Sequence, residues 1–244
     1  MRAVVLAAGD GGRLEELTSD LPKPLVPLAG RPILDYTLDA LASAGISDVI
    51  VVTGYREAQL REALTAAAPS TLTLSFVTND RFHGGASLSL RAARAALDDE
   101  PFLLLMADHV LSPRIIRALL DAQAARPDAS FVAADFSERG AKYSEEATKL
   151  LISDAIDGER RVAAIGKELP RWRALDAGAF LLDSSAWAAV DASPEDCELS
   201  VIFTELARRG SLFAADITGA FWYDIDTAED LANANFLLAR AGSS

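Results

Sequence analysis

Ala3-Val4-Val5-Leu6-Ala7-Ala8-Gly9-Asp10-Gly11-Gly12-Arg13, followed after a polar stretch by Pro22-Lys23-Pro24-Leu25, decides the reading of this chain. Small and β-branched residues that run unbroken into glycines spell a buried strand opening into a loop. Glycines let backbone N–H groups approach an anion closely. Arg13 and Lys23 add two cations to the same loop. Together these features describe a phosphate cradle at the mouth of a parallel sheet and point to a nucleoside triphosphate. Leu6, Ala7, Ala8, Gly9, Gly11 and Gly12 are its expected nucleotide contacts, with Arg13 and Lys23 as the catalytic cations. Two commoner glycine motifs fit badly. A dinucleotide fingerprint wants a third glycine where Leu14 stands, and an acidic end to the second strand, where residues 49–53 instead run into Gly54. A Walker A loop needs Gly-Lys followed by Ser or Thr, and no such string occurs.

Outward from this start, strand-like and helical runs alternate. Residues 2–7, 49–53, 72–77, 102–107 and 130–135 read as strands; 57–67, 87–97 and 113–125 read as helices. From Pro32, Leu34, Leu38 and Leu41 fall on one helical face. This order predicts a Rossmann-like α/β fold, a mostly parallel sheet with helices on both faces. Residues 136–183 change to loops and short strands at 147–152, 161–165 and 175–182, read as a small antiparallel extension over an acceptor pocket. A helix at 198–209, a strand at 212–217 and a closing helix at 227–240 follow. The expectation is one domain over 1–244: a nucleotide-binding half at 1–135, then an acceptor-binding lobe and closing helix at 136–244.

Composition narrows the classes. The 244 residues are 50% hydrophobic and 24% charged, as in a globular protein with a substantial core. A net charge of −13 repels nucleic acid, so any anionic substrate needs a locally basic site. One cysteine, Cys197, excludes an internal disulfide and a cysteine metal cage, and it reads as a spectator. No apolar stretch approaches membrane-spanning length and the start is not a signal peptide, so a cytoplasmic protein is expected.

The apolar strand, the pattern AAGxGxR and the KPL that follows resemble the N-terminal signature of the nucleotidyltransferases that activate sugar phosphates; Gly9, Gly11, Arg13, Lys23, Pro24 and Leu25 match it. Further strings occur in order: Met106-Ala107-Asp108-His109, Glu146-Ala147-Thr148-Lys149, Ile165-Gly166-Lys167-Glu168-Leu169 and Leu175-Asp176-Ala177-Gly178-Ala179-Phe180. With the late Asp224-Ile225-Asp226-Thr227, these resemble the cytidylyltransferases that make CDP-inositol from inositol-1-phosphate. That resemblance implies a fold of the nucleotide-diphospho-sugar transferase type. It implies Mg²⁺ held by Asp108 and Asp226, with Asp224 as neighbour or water-mediated ligand.

Other parts follow in the same way. An Asp at the carboxyl end of a buried parallel strand, as Asp108 is, sits where open α/β sheets bind ligands. Asp224 and Asp226 alternate to one side of an extended segment, and Asp226-Thr227 also reads as a helix cap. The segment from Asn79 through Gly85, Ala86 and Ser87 is the expected base pocket, Ser87 reading equally as a helix cap. Its Gly-Gly-Ala-Ser departs from the Gln-Gly-Thr-Ala-type string of thymidylyl relatives. For the acceptor, the resemblance implies Lys149 or Lys167 on the phosphate and Asp176 and Gly178 at the polyol, with His109 as a pocket wall. Ala177 stands where relatives usually have Thr, which leaves room for a sugar-1-phosphate, phosphocholine, a phosphonate or another cyclitol phosphate.

Only two histidines are present, which suits a reaction needing no general base: a phosphate monoester is largely dianionic at neutral pH. The expected function joins an NTP, CTP favoured, to a small phosphorylated alcohol with release of pyrophosphate. The alternatives are a nucleotide-sensing module without turnover and a molybdopterin-type nucleotidyltransferase. A homodimer is left open.

Overall fold

The computed structural model describes residues 1–11, 21–137, 147–153 and 159–241. The opening apolar run forms β1 (Arg2–Ala7). After a 3-10 turn at Lys23–Leu25 come β2 (Pro27–Leu28), β3 (Arg31–Pro32), α1 (Ile33–Ser43), β4 (Asp48–Thr53), α2 (Glu57–Ala67) and β5 (Thr73–Thr78). Next are α3 (Ser87–Ala93), β6 (Phe102–Met106), β7 (His109–Leu111), α4 (Pro113–Ala125) and β8 (Ser130–Asp135). The second half holds β9 (Lys149–Ile152), β10 (Val162–Gly166), β11 (Ala174–Leu182), α5 (Ala186–Ala192) and α6 (Leu199–Arg208). It ends with β12 (Leu212–Asp216), β13 (Trp222–Asp224) and α7 (Ala228–Ala241).

Because β1 is apolar on both faces, it takes the middle of a nine-stranded sheet, in the order β10-β9-β11-β6-β1-β4-β5, with β8 beside β11 and β12 beside β8. It runs parallel to β4 and β6, with Val5 opposite both Val51 and Leu105. Alternation splits the core. Ala3, Val5 and Ala7 face Leu34, Leu38 and Leu41 of α1 and Ile115, Ile116 and Leu119 of α4. Val4 faces the other layer, with Trp187 and Val190 of α5 and Ile202, Phe203 and Leu206 of α6. Each Val, Leu or Ile among these contributes about 1.5–3 kcal/mol on burial.

β11 is antiparallel to β6 and β8, so a strand of the second half is built into the centre of the sheet. The antiparallel β9–β10 pair continues from it. The β11–β8 register shifts between Asp176 and Phe180, a bulge around Gly178, whose φ is +71°. A third, smaller core of Val26, Leu28, Ile33, Val110, Tyr223, Ile225 and Ala234 joins β2, α1, β7, β13 and α7 under the carboxyl ends of the central strands. Among the described residues no helix is long and apolar enough to cross a membrane.

Candidate active site

β1 ends at Ala7, and the chain turns through Gly9 and Gly11, the latter with φ +69°. The Ala8 carbonyl accepts the Tyr55 N–H at 2.9 Å. Gly54 lets this approach happen: a Cβ there would lie 2.9 Å from that carbonyl oxygen and 2.7 Å from Phe82 Cβ. Lys23 returns to the same place on a 3-10 turn between Pro22 and Pro24, closed by Leu25 N–H on the Pro22 carbonyl at 2.8 Å. The prolines fix φ on either side and limit where the lysine can point.

Asp108 follows β6, and Asp226 lies far along the chain after β13. They meet because β7 and β13 pair antiparallel, with His109 opposite Asp224, and because Ile225 N–H donates to the Asp108 carbonyl at 3.1 Å. The Lys23 ammonium then lies 2.8 Å from Asp108 Oδ2 and 2.8 Å from Asp226 Oδ1. Thr227, not Asp226, caps α7. Asp230 N–H donates to Thr227 Oγ1 at 3.2 Å, and Asp230 Oδ2 accepts Thr227 N–H at 2.8 Å. That reciprocal pair is a capping box.

The charges hold one another. Burial opposes ionisation of Asp108, but Lys23 and His109 outweigh it and keep the carboxyl well below its usual range. Burial likewise opposes the Lys23 charge, which Asp108 and Asp226 restore and raise. The His109 imidazole loses to burial and gains more from Asp224, Asp108 and Asp176, ending at about 9. Burial lifts Asp176 to about 7, and burial with the neighbouring carboxylates lifts Asp224 to about 6.

The donor set suits a divalent cation. Asp108 and Asp226 converge on one point now held by an ammonium, and Asp224 Oδ1 is buried without a hydrogen-bond partner. Asp108, His109 and Asp224 each present a ligand atom within 4.8 Å of the others. Hard carboxylate oxygens with space beside them match Mg²⁺ chemistry. The cleft beside them measures about 430 Å³ and is lined by Leu6, Ala7, Gly9, Gly11, Lys23, Asp108 and Asp226.

The other expected site residues are distributed as follows. Gly12 and Arg13 lie outside the described residues, as does Glu146. Ala8 is buried behind the glycine turn, 3% exposed. Asn79 holds the next loop together, donating to Ser89 Oγ at 3.0 Å and accepting Arg81 N–H at 2.9 Å. Ser87 is fully buried and does not cap α3; Ala86 occupies the cap position. The Ser87 hydroxyl donates to the Glu195 carbonyl at 2.9 Å and accepts Cys197 N–H at 2.9 Å. Gly85 N–H donates to Asp196 Oδ1 at 2.6 Å, and a Cβ at Gly85 would strike the Cys197 carbonyl. These residues clamp the 79–88 loop to the segment before α6.

Lys149 and Lys167 meet across the β9–β10 pair, where the Lys149 ammonium donates to the Lys167 carbonyl at 2.6 Å. The Lys167 side chain is exposed. Asp176 accepts Gly178 N–H at 2.8 Å within the bulge. The helix cap read at Asp226-Thr227 falls on Thr227. Sequence reasoning missed the β7–β13 pair and the reciprocal part of Asp230, although Thr-x-x-Asp before an apolar helix is a readable capping signal.

A family model described as the MobA-like NTP transferase domain matches residues 3–203. The chain is 34% identical over 233 residues to the bifunctional IPC transferase and DIPP synthase of Rubrobacter xylanophilus, covering 94% of this chain and 50% of that protein. It is 34% identical over 252 residues to the CMP-5'-(3-aminopropyl)phosphonate synthase of Streptomyces rubellomurinus, covering 97% of this chain and 38% of that protein. The chain therefore spans half or less of these relatives' length. The solved inositol-1-phosphate CTP transferase from T. maritima matches with TM-score 0.82 at 22% identity, over 98% of this chain and 94% of that one. A UDP-glucose pyrophosphorylase complexed with UDP-glucose matches at TM-score 0.84 and 16% identity, over 98% of both chains. These likenesses establish the nucleotide-diphospho-sugar transferase fold. With the family match running from β1 into α6, the chain belongs to the MobA-like NTP transferase domain family.

Proposed function

We propose that the chain joins CTP to a small phosphorylated alcohol, inositol-1-phosphate first among them, and releases pyrophosphate in a Mg²⁺-dependent reaction. One observation carries this reading: Lys23, Asp108 and Asp226 converge within 2.8 Å contacts in a cleft that the glycine turn also lines. A phosphate oxygen of the acceptor forms the new bond to the α-phosphorus, and the bond from that phosphorus to the bridging oxygen breaks. Pyrophosphate leaves with the electron pair. The acceptor is already largely dianionic, its second pKa being near 6, so no side chain has to remove a proton. The protein's task is alignment and neutralisation of crowded negative charge. Gly9 and Gly11 would present backbone N–H groups to the polyphosphate, and Lys23, with Arg13, would balance its charge. When bound, Mg²⁺ held by Asp108 and Asp226 would supply electrophilic stabilisation of the phosphate oxygens. The lobe carrying Lys149, Lys167 and Asp176 is the proposed acceptor side.

The test is pyrophosphate release with four NTPs against a panel of acceptors. CTP with inositol-1-phosphate should turn over, and Lys23→Ala should lower the rate by about 10²–10³. No turnover by folded protein with any pair overturns the reading. The Streptomyces relative favours one second acceptor class, an aminoalkylphosphonate, which belongs in the same panel.

A further inference from the structure

His109 begins β7 directly after the candidate metal ligand Asp108, and only 12% of its side chain is exposed. Its Nδ1 lies 2.8 Å from Asp108 Oδ1, while Lys23 takes Asp108 Oδ2 at 2.8 Å. A carboxylate that also takes the Lys23 ammonium offers only acceptor oxygens, so at this distance Nδ1 is the donor. The terminal torsion of an aspartate is broad and close to two-fold. With Lys23 alone, the Asp108 carboxylate could rotate about its contact. The imidazole removes that freedom and leaves Oδ2 to Lys23; Asp108 and Lys23 both line the cleft.

The ring is fixed from the far side by the β11 bulge. Gly178 lies directly against it: a Cβ there would fall 2.5 Å from Nε2 and 2.8 Å from Cγ of His109. The φ of +71° at Gly178 belongs to the same bulge, which Asp176 closes by accepting Gly178 N–H. Thus Gly178 gives up its side-chain volume to the imidazole, and the bulge supports the ring that orients Asp108.

We propose that His109 is a positioning residue, which aims the Asp108 carboxylate at the divalent cation and is itself seated on Gly178. The proposal rests on the metal-dependent reading above. Aligned second contacts of this kind raise metal affinity or activity by about 10–100-fold.

The experiment measures Mn²⁺ binding by electron paramagnetic resonance, with and without a non-hydrolysable CTP analogue, alongside kcat and KM. His109→Ala should weaken Mn²⁺ binding and lower kcat by about 10–100-fold, leaving KM for the nucleotide unmoved. His109→Asn places an amide nitrogen where Nδ1 stood and should restore binding to within about threefold of the unaltered chain. Gly178→Ala should weaken Mn²⁺ binding more in the unaltered chain than beside His109→Ala, since the clash disappears with the ring while the strain of a side chain at φ +71° remains in both. Where Gly178→Ala does not fold, the Ala and Asn variants at His109 decide alone. Equal Mn²⁺ affinity in His109→Ala and the unaltered chain overturns the proposal. So does an Asn variant no better than Ala, a Gly178→Ala effect of the same size in both backgrounds, or no Mn²⁺ binding at all. Because Mn²⁺ binding does not require turnover, a failed substrate panel sinks the proposed reaction and leaves this test standing.

Discussion

Lys23 is 8% exposed yet charged, a costly state that two carboxylates at 2.8 Å make sustainable. Motif spacing was enough to single out both Lys23 and Asp108, because a cation beside a glycine turn and a carboxylate ending a buried strand each announce themselves locally. The part played by His109 was not readable that way, since it depends on a glycine sixty-nine positions later. Its charge has a measurable consequence. With metal removed by EDTA, the raised His109 pKa means that the folded form holds its proton more tightly than the unfolded chain. The resulting stabilisation is complete below about pH 6.5 and is lost as pH rises through about 9. It amounts to something on the order of 3 kcal/mol. Only two histidines are present, so imidazole NMR in EDTA should show one ring titrating near 9, absent from His109→Asn. A His109 ring that titrates at or below 6.5 refutes the ion cluster.

The short elements do work that their length conceals. β7 and β13 are three residues each, too short to show their pairing by periodicity; the stretch through Asp224 reads as extended, but β7 and its partnership with that stretch were not expected from the chain. Their pairing nevertheless sets His109 opposite Asp224 and brings the late carboxylates to Asp108. α7 was expected at 227–240 and runs Ala228–Ala241, and its start matters more than its length. The capping box at Thr227 and Asp230 satisfies the helix terminus and leaves Asp226 to Lys23. Thr227→Ala should cost about 1 kcal/mol in urea unfolding. It should also weaken Mn²⁺ binding, because the residue before the cap loses its anchor. An unchanged midpoint would remove the cap from this account. The 79–88 segment, by contrast, spends the Gly85 N–H on the Asp196 side chain and the Ser87 hydroxyl on the backbone of residues 195 and 197.

Across the molecule, both halves of the chain share one sheet, because β11 inserts between β6 and β8. Phe180 in β11 stacks on Phe203 of α6 with centroids 3.9 Å apart, and it is 2% exposed. Phe180→Ala should therefore cost about 3–5 kcal/mol. Near-ultraviolet and far-ultraviolet probes should shift together, as in a single cooperative unit. Two separated transitions would show that residues 1–135 and 136–244 unfold apart. Local pattern alone was sufficient for the β-α alternation of the first half, the glycine turn with Lys23, and the buried strand ending at Asp108. Each of these follows from apolar periodicity or backbone freedom over a few neighbouring residues. The place of β11 in the sheet, the meeting of Asp108 with Asp226 over a sequence gap of 118 positions, and the seat that Gly178 makes for His109 were settled by folding. Each is a contact between distant segments, and its energy comes from packing and charge pairing that exist only once those segments are brought together.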